Sequence, residues 1–199
     1  MNLRIIRIGL WIVVGLAAIG GMVIALRPPA ALSPPIQQPM TEVGGPFTLV
    51  GADGTPFSSS RLKGKPFAMF FGFTHCPDVC PTTLARLAKL RRTLGTGDES
   101  FAIVFVSVDP ERDTPAEMGR YAAQFGAPIV ALTGSVAQIN QVKRAYGIYS
   151  GKVPQAGGGY SVDHSAAVFL MDRDGAFIAT ITPDEGDPAA IAKLRRLMN

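Results

Sequence analysis

Both cysteines of this 199-residue chain lie in one short stretch, FFGFTHCPDVCP, residues 70–81. Cys76 and Cys80 are four positions apart, and each is followed by a proline. Thiols at this spacing can form a structural disulfide, act as a redox pair, or supply two thiolate ligands to a metal ion. A disulfide closing so short a loop would stabilise the fold by only about 2 kcal/mol. We therefore favour the redox and metal-binding interpretations.

A metal site would need a third ligand, and the chain contains two histidines. His75 adjoins Cys76, and its side chain is expected to point away from that sulfur, so we interpret it as a packing or supporting residue. His164 lies in GGGYSVDHSAAVFL, where a long loop enters an apolar strand. Thioredoxin-like redox enzymes have a cis-proline before this strand. A histidine near that position instead favours coordination.

Two thiolates and one imidazole form a soft, three-coordinate set. This set suits Cu(I), whereas structural zinc usually takes four protein ligands. Cu(II) could bind with a further ligand or water. The same two cysteines could pair as a disulfide outside the cytoplasm, so metal binding and thiol oxidation would be coupled.

Three aspartates near these residues have open roles. The Asp78 carboxylate could accept a hydrogen bond at the site, repel other negative charges there, or cap the turn. Asp109 ends a predicted strand, and capping is favoured there over contact with a partner or with the surroundings of copper. Asp163 could orient His164, or face solvent.

The elements that would position these residues follow from the hydrophobic pattern. Continuous apolar runs at 66–73 and 101–108 predict buried strands. Further strands are predicted at 46–50 and 128–132, helices from 81, 115, 135 and 187, and a hairpin around Asp172–Gly175. The order predicts an α/β fold with a mixed central sheet and flanking helices. A dithiol between the first long buried strand and a helix is typical of thioredoxin-like (peroxiredoxin-like) folds.

Local rules predict how the dithiol sits on its helix. Pro81 suits the first helical position, and a residue before proline is disfavoured in the α region. Cys80 is therefore predicted at the N-cap, with 76–80 forming a tight turn. Both sulfurs would then lie near a helix N-terminus, where the dipole favours the thiolate.

The N-terminal stretch predicts a membrane anchor at residues 1–27. Residues 8–26 carry no charge, and a helix of this length spans about 28 Å, close to the ~30 Å hydrocarbon core of a bilayer. A cleaved signal peptide is the alternative, although its apolar region is usually shorter. Arg4 and Arg7 precede the span, so the positive-inside rule places the rest of the chain outside the cytoplasm. That compartment would be the bacterial periplasm, beyond a single-pass inner-membrane anchor, or the mitochondrial intermembrane space.

A proline-rich linker is predicted at 28–45 and a folded domain at 46–199. The chain has 19 basic and 15 acidic residues. Arg4, Arg7 and Arg27 flank the apolar span, and without them 16 basic residues remain against the 15 acidic. The domain is nearly neutral, and no basic stripe suggests a nucleic-acid partner.

Three motifs together resemble the Sco/SenC family: THCPDVCP at 74–81, SVDPERDTP at 107–115 and YSVDHS at 160–165. The resemblance runs from about residue 40 to the C-terminus. It implies a membrane-anchored, thioredoxin-like copper protein that helps to build the dinuclear copper site of cytochrome c oxidase. The family's copper ligands correspond to Cys76, Cys80 and His164.

The resemblance also implies partners and a role. Copper would be transferred to the copper-binding subunit of cytochrome c oxidase, and could be received from an upstream periplasmic copper carrier, so the protein would act as a chaperone more than as an enzyme. The alternative is a thiol-disulfide oxidoreductase that reduces the cysteines of the oxidase copper site or of another extracytoplasmic target; a peroxidase-like enzyme fits the dithiol less well. The loop at 151–160, with glycines at 157–159, is expected to be mobile and to carry His164 onto the dithiol when copper arrives.

Overall fold

The computed structural model describes residues 43–95 and 100–198, together with Met22. The predicted anchor at 1–27, Met22 apart, and the predicted linker as far as residue 42 lie outside the described residues. Within the described part of the chain, no helix has the length and apolar character that a bilayer crossing requires.

The described chain forms nine strands and four α-helices. The strands are β1 (Thr48–Gly51), β2 (Pro56–Ser58), β3 (Phe67–Gly72), β4 (Ala102–Ser107), β5 (Ile129–Thr133), β6 (Ser150–Pro154), β7 (Tyr160–His164), β8 (Val168–Met171) and β9 (Phe177–Ile181). The helices are α1 (Val79–Thr93), α2 (Pro115–Ala122), α3 (Val136–Ala145) and α4 (Asp187–Met198), with short 3-10 turns at Ser59–Leu62 and Ala123–Phe125.

Seven strands form the central sheet, in the order β2-β1-β5-β4-β3-β8-β9. The inner strands β3, β4 and β5 are parallel, and the pairs at the two sides of the sheet are antiparallel. The mixed α/β sheet predicted from the sequence is therefore confirmed. Strand β2 falls in a stretch that the sequence marks only as turn-rich, because a three-residue strand has no periodicity to detect.

The centre of the sheet explains where a site can form. All six residues of β3 and five of the six in β4 are buried, which is why both strands read as unbroken apolar runs. They pair in parallel from Phe67↔Ala102 to Gly72↔Ser107. Their carboxyl ends therefore meet at one edge of the sheet, and the segments that follow, with Cys76 and Asp109, leave from that edge.

Two helix starts are confirmed in detail. Thr114 with Glu117, and Ser135 with Gln138, each form a capping box in which side chain and backbone bond reciprocally. The 3-10 turn that continues α2 ends at Gly126, whose φ of 58° is left-handed.

The predicted start of α1 is wrong. Asp78 is the N-cap, and Cys80 lies within the first helical turn. Pro81 then occupies the third helical position, where its missing N–H removes no bond because the first intrahelical donor is Thr82, bonded to the Asp78 carbonyl at 3.1 Å. The helix can thus begin two residues before its proline.

The predicted loop at 151–160 is mostly a hairpin. Strands β6 and β7 pair antiparallel, with Ser150 opposite His164 and Pro154 opposite Tyr160, and they form a separate two-stranded sheet. Gly157, Gly158 and Gly159 all have positive φ and make the turn. The sequence did not indicate these strands because only one of their ten residues, Val162, is buried, so no apolar alternation marks them.

Candidate metal centre

The Cys76 sulfur lies against the beginning of α1. The Cys76 N–H donates to the Phe73 carbonyl at 3.3 Å, which closes the turn after β3. The Cys80 N–H, in the first turn of the helix, donates to the Cys76 sulfur at 3.4 Å. A backbone donor therefore faces the more accessible of the two sulfurs, since Cys76 is half-buried and Cys80 is fully buried.

The Cys80 sulfur occupies space that a glycine leaves free. A Cβ on Gly72 would lie 2.6 Å from the Cys80 sulfur and 3.0 Å from the Phe105 ring. Burial, and secondarily the neighbouring Cys76, raise the pKa of the Cys80 thiol well above its ordinary value. The prediction that the helix terminus would favour a thiolate is wrong for Cys80, because the loss of hydration outweighs the helix dipole.

His164 ends β7 with its ring turned towards Cys80. The ring Nε2 lies 3.5 Å from the Cys80 sulfur, and Nδ1 lies 3.0 Å from the Ser165 carbonyl oxygen. A carbonyl only accepts, so Nδ1 carries the proton and Nε2 presents its lone pair to the sulfur. Burial lowers the pKa of His164, which keeps the imidazole neutral. The rings of Phe70 and Phe73 pack edge-on around it, with centroids 6.0 and 5.8 Å from its own.

The structure brings the three predicted ligands together. The sulfurs of Cys76 and Cys80 and a ring nitrogen of His164 all lie within 4.8 Å of one another. His164 is 84 residues from Cys80 in sequence, and β3, α1 and the β6–β7 hairpin bring them to one edge. Two soft sulfurs and a neutral imidazole at this spacing can hold one soft metal ion.

A buried carboxylate, not singled out by the sequence, supports the cysteine turn. Asp113 is fully buried and accepts from the Thr74 N–H at 3.2 Å, the Thr74 hydroxyl at 2.7 Å and the Ser107 hydroxyl at 2.6 Å. Burial raises the pKa of this carboxyl. Thr74 lies two residues before Cys76, so Asp113 fixes the turn that presents the first sulfur. The only sequence signal was its place in the motif 107–115.

His75 is not part of the cluster. Its Nδ1 lies 3.1 Å from the Thr74 hydroxyl and 3.8 Å from Asp113, and half of its side chain is exposed. The ring is therefore turned towards the supporting carboxylate, in agreement with its interpretation as a supporting residue.

The three aspartates with open roles have different surroundings. Asp78 makes no capping hydrogen bond with its side chain and accepts instead from the Thr82 hydroxyl at 3.3 Å. Asp163 is exposed, and His164 is oriented by the hydrogen bond that its Nδ1 donates to the Ser165 carbonyl. The capping role favoured for the Asp109 side chain is wrong, because this carboxylate binds Arg112 and the Tyr160 hydroxyl.

Comparison with known proteins places this arrangement in one family. The family model described as SCO1/SenC matches residues 36–199. A mitochondrial SCO1 homolog 1 of Arabidopsis thaliana is 39% identical over 140 residues, which is 68% of this chain and 41% of that protein. This chain therefore matches less than half of that relative's length.

Solved structures share the fold. A structure of Bradyrhizobium japonicum ScoI with copper bound is 43% identical, with a TM-score of 0.71 over 78% of this chain and 99% of that one. BsSco, a member of the Sco family of cytochrome c oxidase assembly proteins in which a disulfide switch was identified, is 26% identical, with a TM-score of 0.62 over 82% of this chain and 97% of that one.

Proposed function

The chain belongs to the SCO1/SenC family, and from this premise we propose that it is a copper chaperone. It binds one copper ion through Cys76, Cys80 and His164, and delivers the ion during assembly of the copper site of cytochrome c oxidase. The observation that carries the proposal is the convergence of these three ligand atoms within 4.8 Å. The copper-bound ScoI structure and the naming of BsSco as an oxidase assembly protein support it.

The donor set suits copper as cargo. Thiolates and a neutral imidazole satisfy Cu(I) in three-coordinate geometry, and a further ligand or water would complete a Cu(II) site. The Cys80 thiol must lose its proton to bind, so copper uptake releases protons and the positive ion offsets the desolvation that raises the pKa of this thiol. Cys76 and His164 are each partly exposed, which leaves an open side for ligand exchange with a donor or a recipient.

The partners and location follow from the same premise. The recipient is the copper-binding subunit of cytochrome c oxidase, and the donor is an upstream periplasmic copper carrier. The uncharged span 8–26 anchors the chain once in the inner membrane, and the proline-rich segment 28–45 spaces the domain from its surface. The domain then lies in the periplasm, or in the intermembrane space of a mitochondrion.

Copper competition tests the ligand set. The reduced full chain in detergent is titrated anaerobically with Cu(I) against a chromogenic chelator, as wild type and as Cys76→Ser, Cys80→Ser and His164→Ala. One equivalent should bind the wild type, and each substitution should weaken binding by at least tenfold. His75→Ala is the matched control, because its ring faces Asp113 and not the sulfurs, and it should weaken binding far less than His164→Ala. Unchanged affinity in His164→Ala would contradict the proposal.

A second function uses the same sulfurs. The Cys80 N–H donates to the Cys76 sulfur, and both cysteines are free, which is the arrangement of a dithiol able to close a disulfide and reduce another protein's cysteines. The disulfide switch of BsSco supports this alternative. A thiol-disulfide oxidoreductase needs both cysteines but not the imidazole. Reduction of a disulfide peptide substrate that survives His164→Ala, while copper binding is lost, would favour it.

A further inference from the structure

A charged cluster joins the β6–β7 hairpin to the segment after β4. Arg112 donates through Nε to the Asp109 carboxylate and through Nη1 to the Tyr160 carbonyl at 3.0 Å. Its guanidinium carbon lies 3.9 Å from the centre of the Tyr160 ring. The Tyr160 hydroxyl donates to the same carboxylate at 2.9 Å. Each of the three residues therefore contacts both of the others.

Burial makes this cluster stronger than an ordinary surface ion pair. The Asp109 side chain is 1% exposed and that of Arg112 is 26% exposed. Charges shielded in this way attract each other more than exposed ones, and removal of one partner leaves the other uncompensated. The neighbouring pair of Glu111 and Lys152 is about half exposed at both ends, so it should contribute little.

The cluster lies at the opposite end of β7 from His164. Tyr160 begins the strand and His164 ends it. Among the described residues, the hairpin forms a two-stranded sheet separate from the central sheet. At the His164 end, the Ser165 N–H donates to the Tyr149 carbonyl and the Tyr149 N–H donates to the Ser165 hydroxyl, both at 3.1 Å. Val162, in the middle of β7, packs into the core, and the cluster holds the far end of the strand.

One aromatic residue also connects the cluster to the metal centre. The guanidinium carbon of Arg112 lies 5.8 Å from the centre of the buried Phe73 ring. The same Phe73 ring packs edge-on against His164, with centroids 5.8 Å apart. Arg112 and His164 thus share a packing partner in the segment that follows β3.

We propose that Asp109, Arg112 and Tyr160 form a clamp that holds the β6–β7 hairpin in the register that places His164 against Cys80. They are positioning residues, which touch no ligand atom and act through the hairpin. The clamp sets how tightly His164 is retained as the third copper ligand. This part of the proposal rests on the proposed copper function. Arg112 Nη2 is buried without a hydrogen-bond partner in the described residues. This unsatisfied donor weakens the clamp.

The first test needs no copper. Tyr160→Phe removes only the hydroxyl bond to Asp109 and keeps the ring beneath Arg112, and Arg112→Lys keeps the charge but loses the forked contact. Amide exchange of the apo protein should quicken about five- to tenfold at 151–153 and 161–163, the effect expected for one lost hydrogen bond. Amides of β3 and β4 should keep wild-type rates. The matched control Glu111→Gln, which removes the exposed pair in the same segment, should exchange like the wild type.

The second test asks whether the clamp acts through His164. Cu(I) affinity of Tyr160→Phe should fall about five- to tenfold in the wild-type background and should not fall further in His164→Ala. Equal losses in both backgrounds, or unaltered hairpin exchange in both clamp variants, would overturn the proposal. Failure of the copper function itself would appear separately, as equal affinity of wild type and His164→Ala, while the exchange test would still decide whether the hairpin is clamped.

Discussion

At the residue scale, the site depends on a glycine, because a position without a side chain leaves room for the Cys80 sulfur. Gly72 ends β3, with each face of the strand buried, and the Cys80 sulfur occupies the space beside its Cα. No left-handed backbone is required there, so the reason for glycine is close approach rather than conformation. The sequence shows this glycine but not the sulfur that packs against it.

Gly72→Ala should therefore damage the metal centre. The new Cβ would lie 2.6 Å from the Cys80 sulfur, and since β3 is paired on both sides, the sulfur must move. Overpacking of this kind costs about 1–3 kcal/mol of stability. We expect that loss in urea unfolding, together with a clear drop in Cu(I) affinity. Gly186→Ala is the control, because its nearest neighbour would be 3.7 Å away; equal behaviour of the two variants would contradict the explanation.

The Cys80 thiol should make the apo protein less stable in alkali. Its pKa is raised by burial, so the folded state keeps a proton that the unfolded state releases above the ordinary thiol pKa of about 8.5. The free energy of unfolding is therefore highest below that pH. It falls as the pH rises further, by up to about 1.4 kcal/mol per pH unit. The urea midpoint of the reduced chain, followed from pH 7 to 10, should fall more steeply in wild type than in Cys80→Ala. An equal fall of the urea midpoint with pH in wild type and Cys80→Ala would contradict this explanation.

At the element scale, the sequence predicts those strands and helices whose burial or capping leaves a recognisable residue pattern. The runs that became β3 and β4 were recognisable because both faces are covered, and the two capping boxes because their side chains bond locally. The β6–β7 hairpin was missed because only one of its ten strand residues is buried. The start of α1 was misplaced because the rule about proline concerns the interior and the first position of a helix, while Pro81 lies at the third.

Pro81→Ala should be a mild change. The first intrahelical donor is Thr82, so an N–H at position 81 gains no intrahelical partner. The remaining effect is the greater freedom of the unfolded chain, worth about 0.4–1 kcal/mol. Urea unfolding should show a loss of that size, with Cu(I) affinity within about threefold of wild type. A loss of several kcal/mol would mean that the proline itself fixes the helix start.

At the scale of the whole molecule, the cluster of Cys76, Cys80 and His164 could be predicted and its support could not. Cys76, Cys80 and His164 are of residue types that bind soft metals, and their motifs resemble one family. The clamp involves Tyr160, which is 51 residues from Asp109, and no local pattern relates residues of those types at that separation. Asp113 was likewise not singled out, because apart from its place in the motif 107–115 a buried aspartate looks like any other aspartate until its donors are known.

The membrane anchor is the other prediction at this scale. If residues 8–26 span a bilayer, the full chain should remain in the membrane pellet after alkaline carbonate extraction, and deletion of residues 1–27 should release it. Protease added to spheroplasts should digest the domain without lysis, because the positive-inside rule places it outside. Release of the full chain by carbonate, or protection of the domain in intact spheroplasts, would contradict the anchor or its orientation.

The most direct measurement of the central claim is X-ray absorption spectroscopy of the full chain loaded anaerobically with one equivalent of Cu(I). The account predicts two sulfur neighbours near the copper and one nitrogen neighbour, with the imidazole scattering lost in His164→Ala and retained in His75→Ala. A copper ion with two sulfurs and no imidazole in the wild type, or a spectrum unchanged by His164→Ala, would contradict it.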